Sequence, residues 1–324
     1  MKRKIAIVAG GDSSEYGVSL KSADGLYSFM NKELYEPYIV VLRGADWKVK
    51  LADQQTADVD KNDFSFVLDG RKIRFDYAYI TIHGIPGESG QLQGYFDMLR
   101  IPYSCCNVLA AALTCHKFTC NHFLKSFGFD IAKSLLLRRP DEMTAAQIVE
   151  EIGLPCFVKS NTGGSSYGCT KVKTVEGMVP ALEKAFDEGG EVIVEAFMDG
   201  TEVTCGVYKT RTKQVAFPLT EVVTHREYFD YDAKYRGAAD EITPARIGDE
   251  MTRRIQQLTL RLYDLIGCHG IIRTDYIIEN GVPKVMDINT TPGMTSTSFI
   301  PQQVRAAGLS ITDVLTDIIE DSFA

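Results

Sequence analysis

Two β-branched apolar stretches near the end of the chain carry polar residues two positions apart, and this pattern constrains the fold most strongly. The first stretch contains Arg273 and Asp275, and the second contains Asp287 and Asn289. Side chains two apart on a strand point to one face, so we expect Asp275, Asp287 and Asn289 to converge across neighbouring strands. Their hard oxygen atoms suit magnesium, and Arg273 beside them would stabilise a developing anion. The alternative is a hairpin with one polar, solvated face.

The composition is typical of a soluble globular protein with more than one domain. A length of 324 residues favours two or three domains. The formal net charge is −8 without long runs of either sign, which argues against a nucleic-acid partner. No apolar stretch approaches the ~18 residues of a membrane span. The eight cysteines form no Cys-x-x-Cys motif, so we expect a protein of the reducing cytoplasm.

The first part of the chain alternates predicted strands with predicted helices. The expected elements are strands at residues 5–9, 38–42 and 77–82 and helices at residues 14–31 and 91–99. This alternation predicts an α/β domain with a parallel sheet covered on both faces. Ligands of such sheets gather at the carboxyl ends of the strands, where the loops at residues 10–15 and 83–90 fall.

Two further units follow. The middle one is expected to contain helices at residues 110–127 and 145–152, strands at 156–159 and 169–175, and a helix ending near 186. The last one is expected to contain strands at 191–195 and 202–208, a helix at 246–266, the two polar strands, and helices at 301–307 and 311–319. The predicted domains are therefore residues 1–105, 106–190 and 191–324.

A lysine at the end of a predicted strand precedes a loop rich in glycine and hydroxyl residues, Lys159-Ser-Asn-Thr-Gly-Gly-Ser-Ser-Tyr-Gly. Glycines let backbone amides approach an anion, and Lys159 adds a positive charge, so the loop suits nucleotide phosphates. The same residue types also form ordinary surface turns. The chain contains no P-loop or dinucleotide-binding glycine motif, so ATP would need a different architecture.

The same loop also matches the pattern of a serine nucleophile. Gly164-Ser-Ser-Tyr-Gly places Ser166 in the nucleophile position, and Asp240 and His269 follow in the expected order. A nucleophile elbow runs from a strand into a helix, however, and residues 170–175 continue as alternating β-branched residues. That continuation argues against a serine hydrolase.

Three other features have both a structural and a functional interpretation. Glu15 either favours a helix N-terminus electrostatically or anchors a substrate ammonium group. His83 is either an ordinary loop histidine or a substrate contact. The aromatic and charged stretch at residues 228–237 is either a crossover packed by its own rings or a loop that closes over a ligand.

Taken together and in order, the motifs resemble the D-alanine–D-alanine ligases of the ATP-grasp superfamily. The matching segments are Gly10-Gly-Asp-Ser-Ser-Glu, His83-Gly with Gly87-Glu, Lys159 with Gly164-Ser-Ser, Tyr231-Asp-Ala-Lys-Tyr, Arg273-Thr-Asp, and Asn289-Thr-Thr-Pro-Gly-Met-Thr-Ser-Thr-Ser. The resemblance spans nearly the whole chain. It implies an α/β fold that is α+β in the ATP-binding part, with an N-terminal parallel α/β domain followed by two ATP-grasp subdomains.

The resemblance also implies a reaction and its cofactors. One D-alanine carboxylate attacks the γ-phosphate of ATP, and the amine of a second D-alanine attacks the resulting acyl phosphate, which gives a cell-wall precursor. Two magnesium ions are expected, with manganese as a substitute. The implied nucleotide and metal residues are Lys117, Lys159 and Lys234 at the phosphates, Glu195 and Glu202 at adenine and ribose, and Asp275, Asp287 and Asn289 at the metals.

The resemblance also implies which residues contact the two amino acids. Glu15, linked to Ser165 and Tyr235, anchors the first ammonium, and His83 lies nearby. Arg273 and the Gly293 amide stabilise the oxyanion of the tetrahedral intermediate. Ser298 and Phe299 face the carboxylate of the second substrate. D-serine as second substrate stays open, because a small pocket rejects one hydroxyl poorly. A homodimer is the family expectation.

Several positions depart from the family pattern. Asp287 stands where the family commonly has the longer glutamate. The other departures are Ser89, His116, Ser160 and Ala196. The changes at Asp287 and Ser160 leave room for one more alternative, an ATP-grasp protein that binds nucleotide without turning it over.

Overall fold

The computed structural model describes residues 2–164, 167–224 and 239–324. These residues form three larger β-sheets and one two-stranded hairpin, with helices packed against the sheets. The predicted α/β class is confirmed. The sheets carry some of the predicted functional residues, and the helices and loops beside them carry the others.

The first sheet has the strand order β4-β3-β2-β1-β7. The first seven strands are β1 (Arg3–Gly10), β2 (Tyr35–Arg43), β3 (Asp46–Lys50), β4 (Thr56–Asp58), β5 (Ser65–Leu68), β6 (Arg71–Arg74) and β7 (Tyr77–Ile80). β1 is parallel to β2 and β7, whereas β3 pairs antiparallel with β2. The expected parallel sheet is therefore correct at the centre and wrong at one edge. A tight turn at Gly44, with φ of 51°, folds β3 back beside β2, as short connections require.

Apolar residues of β1 alternate between the two faces of this sheet. Ile5 and Ile7 pack with Leu26 of α1 (Tyr16–Phe29), while Ala6 and Val8 pack in a second cluster that includes Phe96 of α2 (Gln91–Leu99). All six side chains are buried. Burial of both faces explains why this strand is apolar without interruption.

The central sheet is fully antiparallel. Its strands are β8 (Ser134–Leu137), β9 (Cys156–Ser160), β10 (Thr170–Val172) and β11 (Val192–Ala196), in the order β10-β9-β11-β8. The helices of this region are α3 (Val108–Cys115), α4 (Lys117–Ser126), α5 (Ala145–Ile152) and α6 (Met178–Glu188). A capping box between Thr144 and Gln147 stabilises the N-terminus of α5.

The helical stretch predicted at residues 110–127 is present and consists of two helices, because α3 ends and α4 begins at His116. His116 has φ of −91° and ψ of 87°, and its ring nitrogen Nδ1 accepts a hydrogen bond from the Thr119 amide at 3.2 Å. The histidine therefore serves as the N-cap of α4. This break sets Lys117 in the first turn of α4, where its amide donates to the Asn161 carbonyl at 3.1 Å.

The third sheet has the order β15-β14-β12-β16-β17, with β13 paired to β12. Its strands are β12 (Thr201–Lys209), β13 (Gln214–Ala216), β14 (Thr220–Thr224), β15 (Ala239–Ile242), β16 (Ile271–Glu279) and β17 (Val282–Asn289). The last helices are α7 (Asp249–Ile266), α8 (Phe299–Ala306) and α9 (Ile311–Asp321). Within the described ranges, no helix is long and apolar enough to cross a membrane.

A buried glutamine of α8 joins that helix to the third sheet. Gln303 donates to the Thr204 carbonyl at 3.0 Å and to Thr220 Oγ1 at 3.1 Å, and it accepts from the Gly206 amide at 2.9 Å. Its side chain is fully buried, and because Thr220 Oγ1 also bonds to Thr243 Oγ1 at 2.6 Å, the Gly206 amide and the Thr204 carbonyl are the groups that Gln303 chiefly satisfies.

We expect Gln303→Met to destabilise the protein by about 3 kcal/mol, because the Gly206 amide and the Thr204 carbonyl would stay buried without a partner. Urea unfolding monitored by circular dichroism measures the change. The neighbouring exposed Arg305→Ala variant is the control, with an expected change within about 0.5 kcal/mol. Equal midpoints for Gln303→Met and wild type would contradict the assigned role.

Candidate active site

One cavity of about 1030 Å³ lies among the three larger sheets. Every predicted site residue that the structure describes lines it, and these are Glu15, His83, Lys117, Lys159, Glu195, Glu202, Arg273, Asp275, Asp287, Asn289, Gly293, Ser298 and Phe299. The predicted residues Ser165, Lys234 and Tyr235 lie outside the described residues, as do Ser166 and the stretch at residues 228–237. Residues far apart in sequence therefore share one solvent-connected space.

The floor of the cavity is formed by the antiparallel pair β16 and β17. Asp275 lies opposite Asp287, and Arg273 lies opposite Asn289. The register shifts after Asp275, so that Tyr276 pairs with Val285 and Met286 is the extra residue of a β-bulge. Four polar side chains are thereby grouped on adjacent strands, with two from each strand.

Asp275 is the most highly connected carboxylate in this group. Arg273 donates to both of its oxygens, from Nε to Oδ1 at 2.8 Å and from Nη2 to Oδ2 at 2.8 Å. Thr204 Oγ1 donates at 2.6 Å and Asn289 Nδ2 at 3.2 Å. The bidentate pair fixes the plane of the guanidinium. Arg273 also lies 5.2 Å from the centre of the Phe299 ring, which leaves it little rotational freedom.

Two lysines in the cavity are each paired with a carboxylate. Lys117 Nζ lies 2.9 Å from Asp287 Oδ1 and 3.0 Å from Oδ2, and Lys159 Nζ lies 2.6 Å from Glu195 Oε2. Burial lowers the pKa of Lys117, but the facing Asp287 carboxylate outweighs burial and the net pKa is raised. The pKa of Lys159 is raised in the same way, by Glu195 against burial. Both lysines are therefore cations near neutral pH.

Glu15 lies at the N-terminus of α1, where two interpretations were open. Its side chain makes no capping hydrogen bond to the helix. Instead it is buried, lines the cavity and faces the glycine-rich loop, because a Cβ at Gly164 would lie 2.1 Å from Glu15 Oε2. Glycine at position 164 lets that loop reach the carboxylate, and this geometry favours ligand binding over helix capping.

His83 and Glu88 occupy the loop between β7 and α2. His83 is buried with Nε2 at 3.5 Å from Ser22 Oγ. Glu88 accepts from the Gly84 amide at 2.7 Å and from Thr291 Oγ1 at 3.0 Å. Burial raises the pKa of Glu88, while nearby His83 lowers it. Glu88 thus joins the first sheet to the loop that follows β17.

The loop between β17 and α8 is held from two sides. The Met294 amide donates to Ser22 Oγ at 3.3 Å, and the Thr295 amide donates to Ser298 Oγ at 3.1 Å. A Cβ at Gly25 of α1 would lie 2.2 Å from the Met294 carbonyl oxygen. Close contact with α1 therefore positions Gly293 and Ser298 at the cavity.

Two family models match this chain and show the family to which it belongs. One, described as "D-ala D-ala ligase N-terminus", matches residues 4–106, and the other, described as "D-ala D-ala ligase C-terminus", matches residues 123–320. The chain belongs to the D-alanine–D-alanine ligase family. This membership confirms the predicted resemblance and assigns the chain to a family of ATP-dependent ligases.

Similar proteins extend the match over the full chain. The D-alanine--D-alanine ligase of Bacteroides fragilis strain YCH46 is 64% identical over 324 residues, covering 100% of both chains. The protein of the same name from Phocaeicola vulgatus is 61% identical, also over 100% of both chains. The crystal structure of VanG D-Ala:D-Ser ligase from Enterococcus faecalis has a TM-score of 0.88 at 30% identity, covering 99% of this chain and 100% of that chain.

The serine hydrolase alternative does not agree with membership in this ligase family or with the local structure. The loop after Lys159 connects β9 to β10, and these two strands pair antiparallel, whereas a nucleophile elbow needs a helix after the strand. His269 is exposed and, like Asp240, lies outside the cavity lining. Ser166 itself lies outside the described residues.

Sequence reasoning assigned no role to four acidic residues of the ligase cavity: Glu88, Asp199, Glu221 and Glu241. Glu221 forms a two-pronged pair with Arg246, with Nε donating at 2.9 Å and Nη2 at 2.8 Å, and this pairing lowers the pKa of Glu221. Glu88 belongs to the Gly87-Glu segment that carries part of the family resemblance, and this segment was its signal. β14 and β15, which carry Glu221 and Glu241, were not predicted as strands.

Proposed function

We propose that the protein joins two D-alanine molecules to D-alanyl-D-alanine with hydrolysis of ATP to ADP and phosphate, as a step in cell-wall precursor synthesis. The observation that carries the proposal is one cavity that combines the Lys117–Asp287 and Lys159–Glu195 pairs with the Arg273–Asp275 pair. The relatives at 64% and 61% identity are named D-alanine--D-alanine ligases. D-serine, which the VanG structure names as a substrate of that protein, is supported by no other observation.

ATP is proposed to bind across the two lysine pairs. Phosphoryl transfer needs positioning and charge neutralisation more than covalent help, and Lys117 and Lys159 provide fixed cations for the phosphates. Glu195 and Glu202 are proposed to contact adenine and ribose. The Glu195 carboxylate also accepts from Asn121 Nδ2 at 2.9 Å, which supports a pre-organised orientation.

Magnesium is proposed to bind at Asp275, Asp287 and Asn289, with two ions and with manganese as a substitute. No group of three or more His, Cys, Asp or Glu residues suited to a metal occurs in the part of the chain that the structure describes. This fits an ion held by two carboxylates and one amide oxygen, because magnesium keeps waters and takes its other ligands from substrate phosphates. When bound, the ions would neutralise charge on the phosphates.

The amino acids are proposed to bind between Glu15 and Ser298. Glu15, with His83 nearby, anchors the ammonium of the first D-alanine, whose carboxylate oxygen bonds to the γ-phosphorus as ADP leaves. The second amino acid, as its free amine, then bonds through nitrogen to the acyl carbon, the acyl C–O bond breaks, and phosphate departs with the proton released from nitrogen. Arg273 and the Gly293 amide stabilise the intermediate oxyanion, while Ser298 and Phe299 contact the second carboxylate. The rigid Arg273–Asp275 geometry supports this assignment.

Three more proposals extend this function. Residues 228–237, with Lys234 and Tyr235, and Ser165 are proposed to close over the ligands, since an acyl phosphate must be shielded from water. The domains are proposed to be residues 1–105, 106–190 and 191–324. All eight cysteines are free thiols, which supports a cytoplasmic location, and a homodimer is proposed from the family.

The first test is phosphate release with ATP and magnesium. We expect release that depends on D-alanine and stays at background with L-alanine or with no amino acid. A coupled phosphate assay measures it, and mass spectrometry identifies the dipeptide. Binding of ATP without D-alanine-dependent release would overturn the proposal in favour of a non-catalytic ATP-grasp protein. Ser166→Ala is the control for hydrolase chemistry, and esterase activity lost in that variant would support the hydrolase.

A further inference from the structure

Glu241, a carboxylate without a role in the proposed reaction, lines the cavity at β15. It accepts a hydrogen bond from Gln302 Nε2 at 2.5 Å, and the same nitrogen donates to the Thr297 carbonyl at 2.7 Å. Gln302 thereby ties Glu241 to the segment that carries Ser298 and Phe299. The carboxylate is held at the part of the cavity assigned to the second amino acid.

The partner of Glu241 differs from those of its neighbours. Asp275, Asp287, Glu195 and Glu221 are each paired with an arginine or a lysine, whereas Gln302 is a neutral amide. Burial raises the pKa of Glu241, and Gln302 and then Arg273 lower it. When a partly buried carboxylate has only a neutral partner, a cation that binds beside it stabilises its ionised form.

The groups around this part of the cavity complement a zwitterion. Ser298 suits a carboxylate, and Glu241 suits an ammonium group. We propose that Glu241 binds the ammonium of the second amino acid and thereby selects amino acids over hydroxy acids. This inference rests on the proposed function. A hydroxy acid of the same shape, such as D-lactate, would leave Glu241 without a cation, and sites built for a charged partner discriminate strongly against analogues that lack it.

The test compares Glu241→Gln with wild type, because glutamine keeps the shape and an acceptor for Gln302 but removes the charge. We expect the KM for the second D-alanine to rise about 10- to 100-fold, with the KM values for ATP and the first D-alanine unchanged. With D-alanine and D-lactate supplied together, the ratio of dipeptide to ester product, measured by mass spectrometry, should fall by a similar factor. Asp240→Asn is the matched control, since adjacent strand residues point to opposite faces and Asp240 is exposed.

A second variant separates charge from shape. Glu241→Asp keeps the charge, so we expect it to retain the preference for D-alanine over D-lactate even if thermal unfolding shows that Glu241→Gln is less stable. Equal loss of this preference in both variants would overturn the inference, as would an unchanged second KM and product ratio in Glu241→Gln. These outcomes leave the proposed function intact if wild type releases phosphate with D-alanine. An inactive wild type would overturn both.

Discussion

The Arg273→Ala variant is expected to release phosphate with D-alanine about 10³-fold more slowly than wild type, while it still binds ADP with magnesium. Arg273 is held by two hydrogen bonds to Asp275 and by the Phe299 ring, so its charge needs no reorganisation when the oxyanion forms. Alanine removes that charge and leaves Lys117 and Lys159, the proposed nucleotide contacts, in place. A coupled assay measures turnover, and calorimetry with ADP measures nucleotide binding.

Two further variants make the Arg273 experiment specific. Arg273→Lys keeps a charge but loses the planar fork that bonds both oxygens of Asp275, so we expect activity between wild type and alanine. Arg254→Ala is the matched control, because Arg254 donates to the Gly281 carbonyl at 3.2 Å at the far end of the same strand pair. Activity of Arg273→Ala within about threefold of wild type would contradict the oxyanion role. Loss of ADP binding would show that Arg273 acts in nucleotide binding and not at the oxyanion.

The Gly25→Ala variant is expected to lose about 3 kcal/mol or more of stability. The new Cβ would lie 2.2 Å from the Met294 carbonyl oxygen and 3.1 Å from its carbon, and backbone atoms cannot move away as a flexible side chain can. The loop that carries Gly293 and Ser298 must shift, so we also expect a higher KM for D-alanine. Thermal unfolding and steady-state kinetics measure the two effects.

The same helix provides the control for this substitution. A Cβ at Gly17 would meet nothing within 4 Å, so Gly17→Ala removes the backbone freedom of glycine without a clash. We expect Gly17→Ala to be as stable as wild type or up to about 1 kcal/mol more stable. If both alanine variants unfold at the same temperature, α1 does not depend on close contact with the Met294 loop.

The two strands that carry Asp275, Asp287 and Asn289 could be predicted from the sequence, because the alternation of side chains along a strand is a pattern among neighbouring residues. Alternation within residues 271–278 and 282–289 indicated both strands and the face that each side chain takes, and β16 and β17 follow that pattern. The register that sets Asp275 opposite Asp287 was not predictable, since it depends on a bulge at Met286. Bulges have no strong sequence signal of their own.

The edge of the first sheet was predicted less well. β3 and β4 are short strands with polar and apolar residues mixed, so a parallel sheet was expected where an antiparallel edge occurs. His116 similarly divides the helical stretch expected at residues 110–127 into two helices. In both cases a turn or a cap at one residue determines where an element ends. Periodicity is judged over many residues, so it does not reveal an interruption at a single position.

The sequence by itself determined the α/β class, most helices and strands, the family, and a set of residues that share one cavity, because local periodicity and short motifs are properties of neighbouring residues. Only the tertiary structure decided which charges meet. The pairs Lys117–Asp287 and Lys159–Glu195 join residues 170 and 36 positions apart, and Gln302 holds Glu241 from another element. Electrostatic energy depends on distance in space and on burial, and neither quantity is encoded at any one position of the chain.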